Sequence, residues 1–254
     1  MGTELKKCEI CGEDLFFPET ELFGRKLTMR RMCKCQRDER EREDIERSER
    51  EERFKREKAR AYCFKDYQDY MDCTFSTDDM NDPNMSRKMR NYADNFGRFM
   101  KDGNGLLFFG NVGAGKTFYS ACIANKLIED GYSVMMSNFV GLIQRIQNET
   151  YKGLEVMKEV ASADLLIIDD LGVERDTEFM KEHVYNIIDT RYRNGKPIIV
   201  STNLTGYELR KPKDVTSSRI YTRIMERCLP IEFKGTNRRK GRNCYKEMLD
   251  ILNA

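Results

Sequence analysis

The sequence predicts an α/β fold, a parallel sheet with helices on both faces, preceded by a small cysteine-bearing module and a charged helix. Three observations lead there. From about Tyr62 to Ala254, apolar runs of strand length alternate with amphipathic stretches of helical spacing. A glycine-rich loop joins one such strand to one such helix, and four of the nine cysteines fall in two close pairs before residue 36.

Taken in order, residues 1–35 form the first expected module. Cys8 and Cys11, with Cys33 and Cys35, offer four thiolates on two short turns, a set that suits tetrahedral zinc and would staple a segment with few large apolar residues. Residues 36–61 mix both charges with almost no apolar side chain, so they cannot form a core. Opposite charges three and four residues apart, as in Glu39 with Arg42 and Glu43 with Arg47, predict a solvated helical linker. Residues 62–254 are the third expected domain, where the chemistry should lie.

Within that domain, Gly105 to Phe109 reads as a buried strand and Lys116 to Glu129 as the helix after the loop. Strands are expected at Tyr132–Met136, Leu165–Ile168, Ile198–Ser201 and Leu229–Phe233. Helices are expected at Phe139–Gln147, Leu154–Val160, Glu178–Arg193 and Ser217–Arg227.

The loop Gly110-Asn111-Val112-Gly113-Ala114-Gly115-Lys116-Thr117 fits G-x-x-x-x-G-K-[S/T] with a strand before it and a helix after it. Its glycines let successive N–H groups converge on phosphate oxygens at a helix N-terminus. Lys116 adds charge at the terminal phosphates, Thr117 offers a hydroxyl to magnesium, and Phe118 completes the expected nucleotide-binding run. Leu165 to Asp170 is a strongly apolar strand ending in two carboxylates. Asp169 is expected to hold magnesium beside the loop, and Asp170 to orient or deprotonate the attacking water. Asn203 follows another apolar run, where an amide would reach the γ-phosphate or the water; Glu174 reads as a solvated loop acid.

These residues resemble the AAA+ ATPases, and within them the helicase loaders of the DnaC and DnaI type with the related IstB transposition helpers. Gly110 to Thr117 resembles Walker A, Leu165 to Asp170 Walker B, Asn203 sensor 1, and Ser218 to Arg223 the arginine-containing box of the loaders. The resemblance implies ATP as ligand and slow hydrolysis coupled to assembly, because Asp170 stands where many AAA+ proteins carry a longer glutamate. It implies a homo-oligomer in which an arginine of one subunit, Arg223 first and Arg219 second, reaches the nucleotide of the next. It further implies that the zinc module docks on a hexameric replicative helicase of the DnaB family, that single-stranded DNA is bound, and that no lid domain follows, since only about twenty residues lie beyond Phe233. The alternative within the resemblance is an IstB-type transposition helper, against which the cysteine module counts.

Composition limits the remaining readings. Forty-five Lys and Arg against 43 Asp and Glu give a net charge of +2, so no global field draws the chain to nucleic acid or anionic lipid. Candidate DNA contacts are local: Arg145, Tyr151 and Lys152, and the cluster Arg238-Arg239-Lys240-Gly241-Arg242. No apolar stretch of membrane-spanning length and no signal peptide is evident, which predicts a cytoplasmic protein with no membrane partner. Cys63, Cys73, Cys122, Cys228 and Cys244 are scattered and read as core thiols; His183 lies in an amphipathic helix and is given no role.

Overall fold

A computed structural model of the chain describes residues 7–23, 25–147, 152–172, 177–235, 237 and 251–253. It divides into two units, Met1–Lys55 and Arg56–Ala254.

In the first unit, β1 (Thr20–Leu22) and β2 (Arg25–Leu27) pair antiparallel, and α1 begins at Lys34 and runs to Cys63. The helix is 30 residues long, about 45 Å at 1.5 Å per residue. Its charges pair along the surface, Arg47 with Asp44 at 2.5 Å and Arg50 with Glu46 at 4.0 Å, each worth a few tenths of a kcal/mol. The expected linker and this helix differ at both ends. The N-terminus starts inside the cysteine module, where Glu13 accepts the Lys34 N–H at 2.7 Å. The unit boundary falls within α1 because its last turn enters the core of the second unit, with Cys63 and Phe64 both at 0% exposure.

The second unit adds α2 (Pro83–Asp94), α3 (Phe96–Asp102), β3 (Gly105–Gly110), α4 (Lys116–Glu129), β4 (Val134–Asn138), α5 (Phe139–Gln147), α6 (Lys152–Ser162), β5 (Leu165–Leu171), α7 (Glu178–Arg193), β6 (Ile198–Thr202), α8 (Gly206–Arg210), α9 (Val215–Arg227) and β7 (Cys228–Phe233). Each apolar run read as a strand is one, and α4, α5 and α7 have the expected limits. The pair α2 and α3 escaped the reading, although its signals are local. Asp82 caps α2 by accepting the Met85 N–H at 3.0 Å, Pro83 opens the first turn, and Gly103 ends α3 at φ 68°.

The five strands are all parallel, in the order β4-β5-β6-β3-β7. Alternate side chains of each strand feed two cores. Leu106, Phe108, Ile167 and Ile199 pack with α2 and α4, whereas Leu107, Leu166, Ile168 and Val200 pack with α5, α6, α7 and α9. The carboxyl ends of β3, β5 and β6 converge on one rim, where an open parallel sheet places its ligand.

Among the described residues, Arg191 is the largest fully buried side chain. Its guanidinium donates to Val160 O (3.0 Å), Ala163 O (2.6 Å), Asp164 O (3.3 Å) and Pro197 O (2.5 Å), tying the end of α6 to the start of β6. Burial lowers its pKa to about 10, so it stays charged at neutral pH. Arg191→Met should cost about 3 kcal/mol of stability, since it strands buried carbonyls; urea unfolding followed by circular dichroism measures this.

Candidate nucleotide site

The phosphate loop is built from conformations a side chain would forbid. Gly110 has φ 122°, and a Cβ there would meet the Phe233 carbonyl oxygen at 2.3 Å. Asn111 N–H donates to that same oxygen at 3.1 Å, so β7 buttresses the loop. Lys116, 6% exposed, aims its Nζ inward and donates to Gly110 O (2.9 Å), Asn111 O (2.8 Å) and Asn203 Oδ1 (2.8 Å). The asparagine read as a phosphate or water contact thus stands within hydrogen-bond reach of the loop lysine.

Asp169 ends the apolar run of β5 at 3% exposure. Thr117 Oγ1 donates to its Oδ2 at 2.9 Å, and Ser201 Oγ donates to its Oδ1. Burial raises its pKa above the ordinary carboxylate value, the two hydroxyls oppose that rise, and the neighbouring Asp170 adds to it. A buried carboxylate facing a phosphate-loop hydroxyl fits a magnesium ion: hard oxygen donors at the point where phosphates would arrive. Asp170 is exposed and lies in the left-handed region at φ 59°.

A cleft of about 570 Å³ runs from Lys116, Thr117, Asp170 and Asn203 to a wall that the sequence reading missed, made of Asp69, Tyr70, Cys73, Thr77 and Asp79, with Val112 and Phe118 beside the loop. That wall belongs to the irregular segment before α2 and is held by two buried residues of α4. Asn125 Nδ2 donates to Met71 O (3.1 Å) and Cys73 O (2.7 Å), and Tyr119 Oη donates to Asp78 (2.9 Å). Tyr67, also unforeseen, lines the groove next to Thr117, Asp169 and Asp170. Burial first, and then Asp169, raise its phenol pKa, so it is a neutral donor. No periodic pattern marks this segment, which is why only the fold reveals it.

The two arginines of α9 differ in their surroundings. Arg223 is held within the chain: its Nη2 meets Asp189 Oδ1 at 2.9 Å and its guanidinium lies 4.4 Å from the Tyr185 ring centre. Arg219 is exposed. Arg145 pairs with Glu159 at 3.2 Å, and His183 packs edge-on against Phe179. Glu174, Tyr151, Cys244 and the cluster from Arg238 to Arg242 lie outside the described residues, as does most of the segment that bears on a lid; of Lys152 only the backbone is described.

In the first unit the sulfur atoms of Cys8, Cys11, Cys33 and Cys35 all lie within 4.8 Å of one another. Cys35 Sγ is 3.3 Å from Cys8, 3.1 Å from Cys33 and 3.5 Å from Cys11. Zinc–sulfur bonds of about 2.3 Å put tetrahedral sulfurs just under 4 Å apart, so the four donors fit the ion. The backbone amides of Cys11 and Ile10, pointing at Cys8, lower its thiol to about 6.

A glycine-rich loop, a buried carboxylate and an asparagine on adjacent parallel strands define a P-loop nucleotide-binding protein of the AAA+ fold. Residues 41–244 match the family described as IstB-like ATP binding protein, and the chain belongs to that family. It is 28% identical over 184 residues to the replicative helicase loader DnaI of Bacillus subtilis, covering 65% of this chain and 58% of that one. It is 27% identical over 135 residues to the replicative helicase loader DnaC of Escherichia coli, covering 50% and 53%. The chain therefore spans little more than half the length of these relatives. A crystal structure of the DnaC helicase loader superposes with a TM-score of 0.56 at 26% identity, covering 65% of this chain and 98% of that one. Among the described residues no helix is long and apolar enough to cross a membrane.

Ionising Asp169 opposes folding of the ligand-free protein. Because its folded pKa is raised, stability falls as pH climbs from about 4, the unfolded value, through the folded one. Ligand-free Asp169→Asn should therefore melt at or above wild type at pH 7.5, with the difference vanishing near pH 4. The extra stabilisation that Mg·ATP gives wild type over ATP in EDTA should be absent from the variant; thermal melts without nucleotide, with ATP in EDTA and with Mg·ATP measure both effects.

Proposed function

We propose that this protein is an ATP-dependent loader of a hexameric replicative helicase of the DnaB family, acting in the cytoplasm. The observation that bears most weight is the combination in one chain of the IstB-like nucleotide site, whose matched relatives include DnaI and DnaC, with a separate four-thiol module. The module would capture the helicase, with zinc on Cys8, Cys11, Cys33 and Cys35 supplying the cross-link that a segment this small needs to hold its shape.

At the nucleotide site, the loop amides and Lys116 bind the phosphates. Lys116 leaves Asn203 for the terminal phosphate, and Asn203 turns to the phosphate or the water. Thr117 and Asp169 would hold magnesium, which when bound would neutralise charge on the phosphate oxygens. Asp170 orients the attacking water; being one methylene shorter than glutamate, it makes hydrolysis slow. Arg219 of a neighbouring copy completes the site. Its exposure supports that role, whereas Arg223 already has a partner within its own chain. Nucleotide binding then reports assembly, and single-stranded DNA binds to the assembled form.

Four measurements test this reading. Full-length protein should retain the purified cognate helicase on a column, and Cys8→Ser with Cys11→Ser should abolish retention while leaving ATP binding intact; equal retention by that variant sinks the docking role. Mercurial titration should release one zinc per chain. Lys116→Ala should lose ATP binding. Arg219→Ala should bind ATP with wild-type affinity but lose ATP-dependent assembly in analytical ultracentrifugation and at least about tenfold in turnover.

A further inference from the structure

Successive side chains of a regular strand point to opposite faces of a sheet. Asp169 and Asp170 could not both serve the phosphate loop from an unbroken β5, yet both line the groove beside Thr117. The pairing with β6 explains it. Ile168 stands opposite Val200 and Leu171 opposite Thr202, so the two aspartates share one partner residue, Ser201. This is a β-bulge with one extra residue on β5. Asp170 absorbs the surplus at φ 59°, a strained conformation that aspartate tolerates better than most residues.

Such a bulge leaves an N–H out of the ladder, and here Ser201 receives it. The serine, 1% exposed, accepts the Asp170 N–H at 3.0 Å and donates to Asp169 Oδ1. Thr202 closes the far side, donating to Leu171 O at 2.6 Å and accepting the Leu204 N–H at 3.1 Å. One hydroxyl therefore uses its donor on one carboxylate and its acceptor on the backbone of the next. Two residues further along the chain, Asn203 meets Lys116.

We propose that Ser201 is a positioning residue for ATP hydrolysis, holding the magnesium-binding and water-orienting carboxylates at one mutual spacing from the opposite strand. The inference rests on the roles given to Asp169 and Asp170 above. Its hydroxyl is a strong donor and a strong acceptor on one atom, so alanine removes both restraints at once, and cysteine, a weak donor and weak acceptor of similar size, weakens both.

The test uses full-length Ser201→Ala beside wild type. Affinity for a fluorescent ATP analogue in EDTA should stay within about twofold, since the phosphate loop is untouched. The Mg²⁺ concentration that half-saturates the metal-dependent part of nucleotide binding should rise about tenfold, and kcat should fall about tenfold. A purely structural role for Ser201 would lower the melting temperature without moving the half-saturating Mg²⁺. A folded variant that keeps the wild-type value of either quantity overturns the proposal. If Ser201→Ala does not fold, Ser201→Cys bears the same test, with the same directions and the same overturning result. Wild type that fails to bind Mg·ATP would remove the functional reading together with this one; normal wild-type behaviour matched by the variant removes this one alone.

Discussion

A carboxylate at 3% exposure on an inner strand of an apolar sheet is costly unless it has partners, and much of the site is organised around supplying them to Asp169. Thr117 comes from the first turn of α4, and Ser201 from the neighbouring strand. Those two contacts tie the phosphate loop, β5 and β6 together at one carboxylate. With them in place, Lys116 meets Asn203, and Asp170 is left exposed at the edge of the cleft. The ligand-free protein still pays for the buried charge, which burial pushes toward its protonated form. A divalent cation would turn that liability into binding energy.

The same economy of partners separates the polar residues of the second unit into two kinds. Arg191 and Arg223 are cations with partners inside their own chain. One gathers four backbone carbonyls, and the other lies between Asp189 and the rings of Tyr185 and Tyr192. Arg219, one turn from Arg223 on the same helix, remains at the surface. Spacing alone puts both arginines on one face of α9, and only the position of α7 distinguishes them. In the first unit the cysteine cluster does for a small, apolar-poor segment what the two cores do for the sheet: it gathers donors from distant turns to one point.

Much of the phosphate-loop half of the candidate site was legible because its signals are local. Gly110 to Thr117 needs close backbone approach, which only that glycine spacing allows, and Leu165 to Ile168 has no polar residue to place outside a core. The opposite wall of the cleft, Asp69 to Asp79, was not legible. It is irregular, has no period, and acquires its place from Asn125 and Tyr119, two buried side chains of a helix some fifty residues later. Helices α2 and α3 were overlooked although Asp82, Pro83 and Gly103 mark their ends.

The sequence by itself determined the parallel α/β sheet, the phosphate loop, the carboxylate strand and the four-cysteine set, because each depends on residue types at fixed short spacing. Tertiary structure alone decided which residues face one another across strands. That two consecutive aspartates share one groove follows from a bulge opposite Ser201, and that Arg223 is occupied follows from Asp189 on another helix. Such pairings join residues about thirty positions apart, where no local propensity acts and only the packing of strands and helices brings the atoms within reach.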